Sequence, residues 1–292
     1  MLQTRFKKYK FLLLLLPIVI YLSLILIGGI GPALLQSLGY FPSLGLNTIT
    51  LSYYKDIVSN PTFLNSLSFS LYTSIVSSAL SVLLGFILAL LTVQSGDKGS
   101  KIARLFRVPV AVPHIVVVLM LMTMFSKAGI LARIINTIFP NINTDFLSNV
   151  LYNKHGLAVI IVYLWKEIPF VAMTTYSVLN NLDKSLGLAA TNLGASKLNV
   201  LIHIIIPLSL PTVFSSFIIV LAYSFGAYEV PWLVGPTTPK ALPIQAYIEY
   251  TNASLLNRPY AMAYNILILI IAIIPIIVFM YAFNRLNRRS YE

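Results

Sequence analysis

Residues 67–93 read LSFSLYTSIVSSALSVLLGFILALLTV, an apolar stretch without one charged side chain. About 20 mostly apolar residues suffice to cross the hydrocarbon of a bilayer as a helix. The stretch therefore reads as a membrane span, opened by a hydroxyl-rich turn at Ser66, Ser68, Ser70, Thr73 and Ser74. Five further runs of the same kind lie on either side: Phe11–Gly29, Val108–Phe125, Leu157–Leu179, Leu201–Tyr223 and Met262–Phe283. The first follows Arg5, Lys7, Lys8 and Lys10 like a secretory leader, but no A-x-A-like cleavage site closes it. It is expected to remain as an uncut first span. The expectation is an all-α polytopic membrane protein with six transmembrane helices.

Composition agrees. The chain has 292 residues, 58% hydrophobic and 10% charged, with a mean hydropathy of +0.86. A soluble domain carries about 25% charged residues to keep its surface wet. The net charge of +12 could suggest a nucleic-acid partner. Here the basic residues cluster in short segments between apolar runs, which is a topology signal and not a nucleic-acid footprint. With both termini placed inside, 13 basic residues fall on the cytoplasmic side, among them Lys98, Lys101, Arg104, Arg107, Lys184 and Lys197. Six fall outside: Lys55, Lys127, Arg133, Lys154, Lys240 and Arg258. The bias predicts cytoplasmic termini.

Several chemistries are excluded or unsupported. There is no cysteine, hence no disulfide and no thiolate ligand or nucleophile. His114, His155 and His203 show no paired spacing, so no metal site is expected. The eight acidic residues are scattered, which argues against an intramembrane enzyme. No G-x4-G-K-[ST] occurs, so the chain is not expected to hydrolyse ATP. The outer segments 30–64, 126–156 and 229–261 hold short apolar pieces such as Ile130–Phe139, suited to interfacial or re-entrant helices. Pro17, Pro109, Pro113, Pro169, Pro207, Pro211 and Pro275 lie in or beside spans, where each can bend its helix. Packing adjustment and an alternately opening cavity both account for them.

Between the fourth and fifth runs the chain reads LDKSLGLAATNLGASKLNVLIHIIIPLSLP over residues 182–211. Asp183 can cap a helix. Leu186, Ala189, Ala190 and Leu193 recur at helical spacing, and Gly194 sits where a helix ends on a left-handed residue. Residues 195–199 restart a helix toward the membrane. A passive linker would need none of this order.

The pattern EAA-x3-G, then a hydrophobic helix and a proline, marks the coupling loop of binding-protein-dependent ABC importer permeases. This chain resembles it through Leu188, Ala189, Ala190, Gly194, Ala195 and Pro207. Flanking stretches resemble the spermidine/putrescine-type branch: WKEIPF at 165–170, FGAYEVP at 225–231, LVGP at 233–236 and RPYAMA at 258–263. The resemblance divides the chain into residues 1–61 (N-terminal segment, first span and external loop), 62–284 (importer transmembrane domain with a coupling loop at 182–200) and a tail at 285–292. It implies a permease subunit in a bacterial inner membrane, with no catalysis and no cofactor of its own. ATP and Mg would bind a partner ATPase. The ATPase would receive the Asp183–Leu198 helical pair, while a solute-binding protein delivers a polyamine or another small solute. No nucleic acid is implied, and membrane lipid is the surrounding medium. One position departs from the family: the acid falls at Leu188, which cannot make a charge-assisted bond. Either the loop docks by shape and apolar contact, with Lys184 or Lys197 as polar anchors, or a second, different permease subunit keeps the acid. The heterodimer is the favoured expectation.

Ionisable residues within spans are expensive and mark functional candidates. Lys166 and Glu167 are adjacent, so their side chains point about 100° apart and cannot pair with each other. An interhelical ion pair and a place on the solute pathway are both open to them. Glu229, beside Tyr228 and Trp232, suits an organic cation or an interfacial aromatic belt. A secondary transporter or channel is the alternative function; it would call for inverted repeats or a buried ion relay, and neither is visible.

Overall fold

The computed structural model describes residues 2–181 and 189–289. Among these it is helical, with six helices long and apolar enough to cross a membrane: Leu14–Ser37, Pro61–Gln94, His114–Ile138, Leu157–Asn181, Lys197–Gly226 and Leu255–Val278. These are called spans one to six. The chain forms two compact units. The first comprises Met1–Pro61 and Gln245–Leu267, the second Thr62–Ile244 and Ile268–Glu292.

In the first unit, span one belongs to a helix running over Leu2–Ser37 despite Pro17 and Pro32. Leu14, Leu24 and Ile27 are 73%, 67% and 69% exposed. A helix apolar on all sides and uncovered by its own chain requires a nonaqueous surrounding. Beyond it, Tyr54 donates to Ser37 Oγ at 2.6 Å and Tyr260 donates to Asp56 at 3.0 Å. The Arg258 guanidinium lies 3.8 Å from the ring centre of Tyr250, a cation–π contact.

The second unit is built around span four, where 44% of the most apolar window is buried, the highest share of any span. Its buried side chains Val159, Val162 and Tyr163 pack with Val118 of span three and with Val230 and Val234 of the short helix Glu229–Val234. Span two reaches it closely at Gly85. A Cβ there would lie 2.7 Å from Val171 Cβ and 2.9 Å from the Ile168 carbonyl oxygen. Such small-residue contacts are how helices associate in lipid, where burial from water supplies no drive.

Span two buries a row of hydroxyls: Ser66, Ser70, Thr73, Ser74, Ser77, Ser78 and Ser81. Several are satisfied one turn back on their own helix, as Thr73 is by Phe69 O at 2.9 Å and Ser74 by Ser70 O at 2.7 Å. Ser70 Oγ in turn accepts the Leu242 amide at 2.7 Å.

Span three differs from its expected bounds. The helix starts at His114 and not at Val108, because Val112 is extended (ψ 129°) and Pro113 follows it. A residue before proline is driven out of the helical region, so Arg107–Ala111 stays a separate turn. The helix ends at Phe125, and after a short break Ile130–Ile138 forms another.

Candidate functional site

Two groups of residues carry the candidate chemistry. The first is the segment entering span five. Its helical residues 189–192 end on Gly194, whose φ is +89°. The Gly194 amide donates to Thr191 O at 3.0 Å and the Ala195 amide to Ala190 O at 3.0 Å. These two bonds close a helix C-terminus around a left-handed residue, a conformation that only glycine adopts readily. One residue later Ser196 caps the next helix, its Oγ accepting the Asn199 amide at 3.3 Å. The chain thus stops one helix and starts another within two residues. Leu193 and Leu198 stand 89% and 62% exposed on either side of the turn. Ala189 and Lys197 are exposed as well, and Ala190 and Ala195 are half-buried. Asp183, Lys184 and Leu188 lie outside the described residues.

The restarted helix is not regular. Lys197–Val200 is α-helical, Leu201–Ile205 is a π turn closed by the Ile206 amide on Leu201 O, and α-helix resumes at Ile206. Pro207, second in the resumed helix, has no N–H to continue the ladder, and a π turn is a common response to such a gap. His203 Nδ1 lies 3.1 Å from Asn199 O across this turn.

The second group surrounds Lys166 and Glu167 on span four. As the 100° step requires, the two serve different neighbours. The half-buried Lys166 donates to Val110 O at 2.9 Å and to Val112 O. These carbonyls are orphaned by the break before Pro113, so the ammonium supplies donors that the helix cannot. Glu167 is only 4% exposed. Its Oε2 accepts Ser81 Oγ of span two at 3.0 Å, and its Oε1 accepts Ser224 Oγ of span five. Their partners are therefore carbonyls and hydroxyls, in place of the interhelical ion pair that was one of the two expectations.

Beside them, Tyr223 OH and His114 Nδ1 are 3.0 Å apart, with ring centres separated by 4.7 Å. Tyr163, fully buried, meets Tyr223 edge-on at 6.5 Å and donates to Ser224 O at 3.3 Å. Glu229 opens the helix Glu229–Val234, where an acid suits the amide-rich end. Tyr228 and Glu229 are exposed. Ser81, Ser224, His114 and Tyr223 were not anticipated. Ser81 was within reach of sequence reasoning, since Ser66, Ser70, Ser74, Ser77 and Ser81 recur at helical spacing.

Among the described residues no group of three or more His, Cys, Asp or Glu is placed to hold a metal.

Residues 81–291 match the model of the family described as binding-protein-dependent transport system inner membrane component. Over 132 residues the chain is 34% identical to the spermidine/putrescine transport system permease protein PotB of Escherichia coli (strain K12), covering 45% of this chain and 47% of that protein. The chain thus matches about half the length of this relative. It is 24% identical over 199 residues to the permease protein PotC of the same organism, covering 68% and 67%. A chain in the crystal structure of a bacterial alginate ABC transporter, in complex with an alginate pentasaccharide-bound periplasmic protein, superposes with a TM-score of 0.72 at 17% identity and 93% coverage of each. At that identity the likeness is one of fold.

Proposed function

We propose, from the premise that this chain belongs to the family of binding-protein-dependent transport system inner membrane components, that it is a permease subunit of an ATP-driven importer. It forms half of a solute pathway and works by alternating access. The observation that carries the reading is the ordered turn at Gly194–Ser196. It joins two helices without slack, exposes Leu193 and Leu198, and runs directly into span five. A rigid element of that kind transmits a push, where a loose loop would absorb it.

In this reading residues 182–200 dock into a cytoplasmic ATPase subunit, which binds ATP and Mg, and both termini lie on that side of a bacterial inner membrane. A second permease subunit completes the pathway. The matches to two different permease proteins of one organism, PotB and PotC, favour an unequal pair. An extracytoplasmic solute-binding protein delivers the cargo. The names of those relatives and the exposed Tyr228 and Glu229 favour an organic cation of the polyamine kind. Lys166 is turned to the Val110 and Val112 carbonyls.

The test is co-purification with the ATPase subunit from membranes, followed by cross-linking. The chain has no cysteine, so a single cysteine at Leu193 reports without background. Cross-linking to the ATPase from Leu193, and none from Leu255 near the start of span six, is the expected result. Labelling of Leu193 from outside intact cells would refute the topology.

A further inference from the structure

Glu167 is a buried acid within a membrane span, a costly placement. It is buried among protein atoms, and its carboxyl is occupied on both oxygens by hydroxyls from two other spans, 86 residues before it and 57 after it. Ser81 and Ser224 are themselves buried, at 0% and 4% exposure. The same place holds a second link between spans four and five, Tyr163 OH on Ser224 O, and a third follows at Thr174 and Ser216, whose hydroxyls are 3.0 Å apart. Packing three helices in lipid does not require an acid, since a small residue such as Gly85 already brings spans two and four together.

The two arms of Glu167 are unequal. The Ser224 hydroxyl has a second acceptor in reach, Val220 O at 2.7 Å, one turn back on its own helix. The Ser81 hydroxyl has Glu167 as its one acceptor among the described residues. The Ser224 arm can therefore open with its hydroxyl still satisfied and with Glu167 still held by Ser81. To open, the Ser81 arm must first turn its hydroxyl to a new acceptor. Span five, on the releasing side, is continuous with the Gly194–Ser196 turn.

We infer that Glu167 is a positioning residue, a latch that holds span five to span four in this state and releases it at Ser224 when span five moves. It does not touch the solute. This rests on the permease reading for its role in transport, but the latch itself is testable on the chain alone.

The experiment has two arms. In the first, the full chain in detergent is compared with Glu167→Ala, with the pair Ser81→Ala and Ser224→Ala, and with all three together. The serine pair leaves a buried carboxylate without donors, which is worse than having no carboxylate. Its melting temperature should fall on the order of 5 °C, and adding Glu167→Ala should restore part of that loss. A triple variant no more stable than the serine pair overturns the latch. In the second arm, the assembled transporter in liposomes is assayed for solute moved per ATP hydrolysed. Ser224→Ala should lower that ratio about fivefold, while Glu167→Gln, which can still bridge both serines, stays near the parent. Uptake and hydrolysis falling in parallel in Ser224→Ala, with the ratio unchanged, would overturn the positioning role. A parent that shows no ATP-dependent uptake strikes the permease reading, and the stability comparison then decides the latch.

Discussion

Replacing Gly194 by alanine separates backbone geometry from side-chain contact at the proposed docking turn. The φ of +89° lies in the left-handed half of conformational space, and a Cβ built there meets nothing within 4 Å. The penalty in the free chain is therefore conformational, about 1–2 kcal/mol for a residue other than glycine. That is a factor of about 5–30 in the population of the intact turn. If the turn must be formed to dock, the apparent affinity for the ATPase subunit should weaken by the same factor, measured by titrating purified ATPase onto the permease in nanodiscs. Gly194→Asn should lose less, because asparagine tolerates this region better than alanine. Gly194→Leu should equal alanine in the stability of the free chain. It should be worse in affinity if the ATPase closes on the glycine. Parent-like affinity in Gly194→Ala would refute the claim that this turn is the docking element.

Three further outcomes follow from the geometry. Gly85→Leu forces a side chain into a 2.7 Å gap against Val171, and overpacking of this kind costs about 1–3 kcal/mol; thermal unfolding in detergent should show it, and an unchanged midpoint would deny the close approach of spans two and four. Lys166→Met leaves Val110 O and Val112 O without their shared donor, an expected loss of about 1–3 kcal/mol; Lys166→Arg should recover part of it in the same assay. Leu188→Glu restores the acid that the family pattern carries at this position and should preserve ATPase docking; loss of docking would count against aligning residues 182–200 with the coupling loop.

The spans were legible because each is a long apolar run, and hydropathy is a local property. The helix end at Gly194 was legible for the same reason, since a glycine after a periodic stretch signals a left-handed cap. The start of span three was not. Apolar residues continue through Val108–Val112, so hydropathy extends the helix, whereas the restriction that Pro113 places on Val112 ends the first piece. The partners of Lys166 and Glu167 were hidden for a different reason. The 100° step correctly separates the two side chains, but Ser81, Ser224, Val110 and Val112 lie 54 to 86 residues away. No periodicity links positions so distant. Expecting charges to seek charges overlooked that buried hydroxyls and the orphaned carbonyls of a broken helix serve as well.

The central claim is that this chain moves solute only as part of an ATP-driven assembly. Its most direct test is uptake into proteoliposomes. One set holds the chain alone; the other holds it with its partner permease, ATPase and solute-binding protein, with ATP supplied on the ATPase side. Uptake is predicted only in the complete set and only with hydrolysable ATP. Solute accumulation by the chain alone, driven by an ion gradient and indifferent to ATP, would contradict the account and identify a secondary transporter.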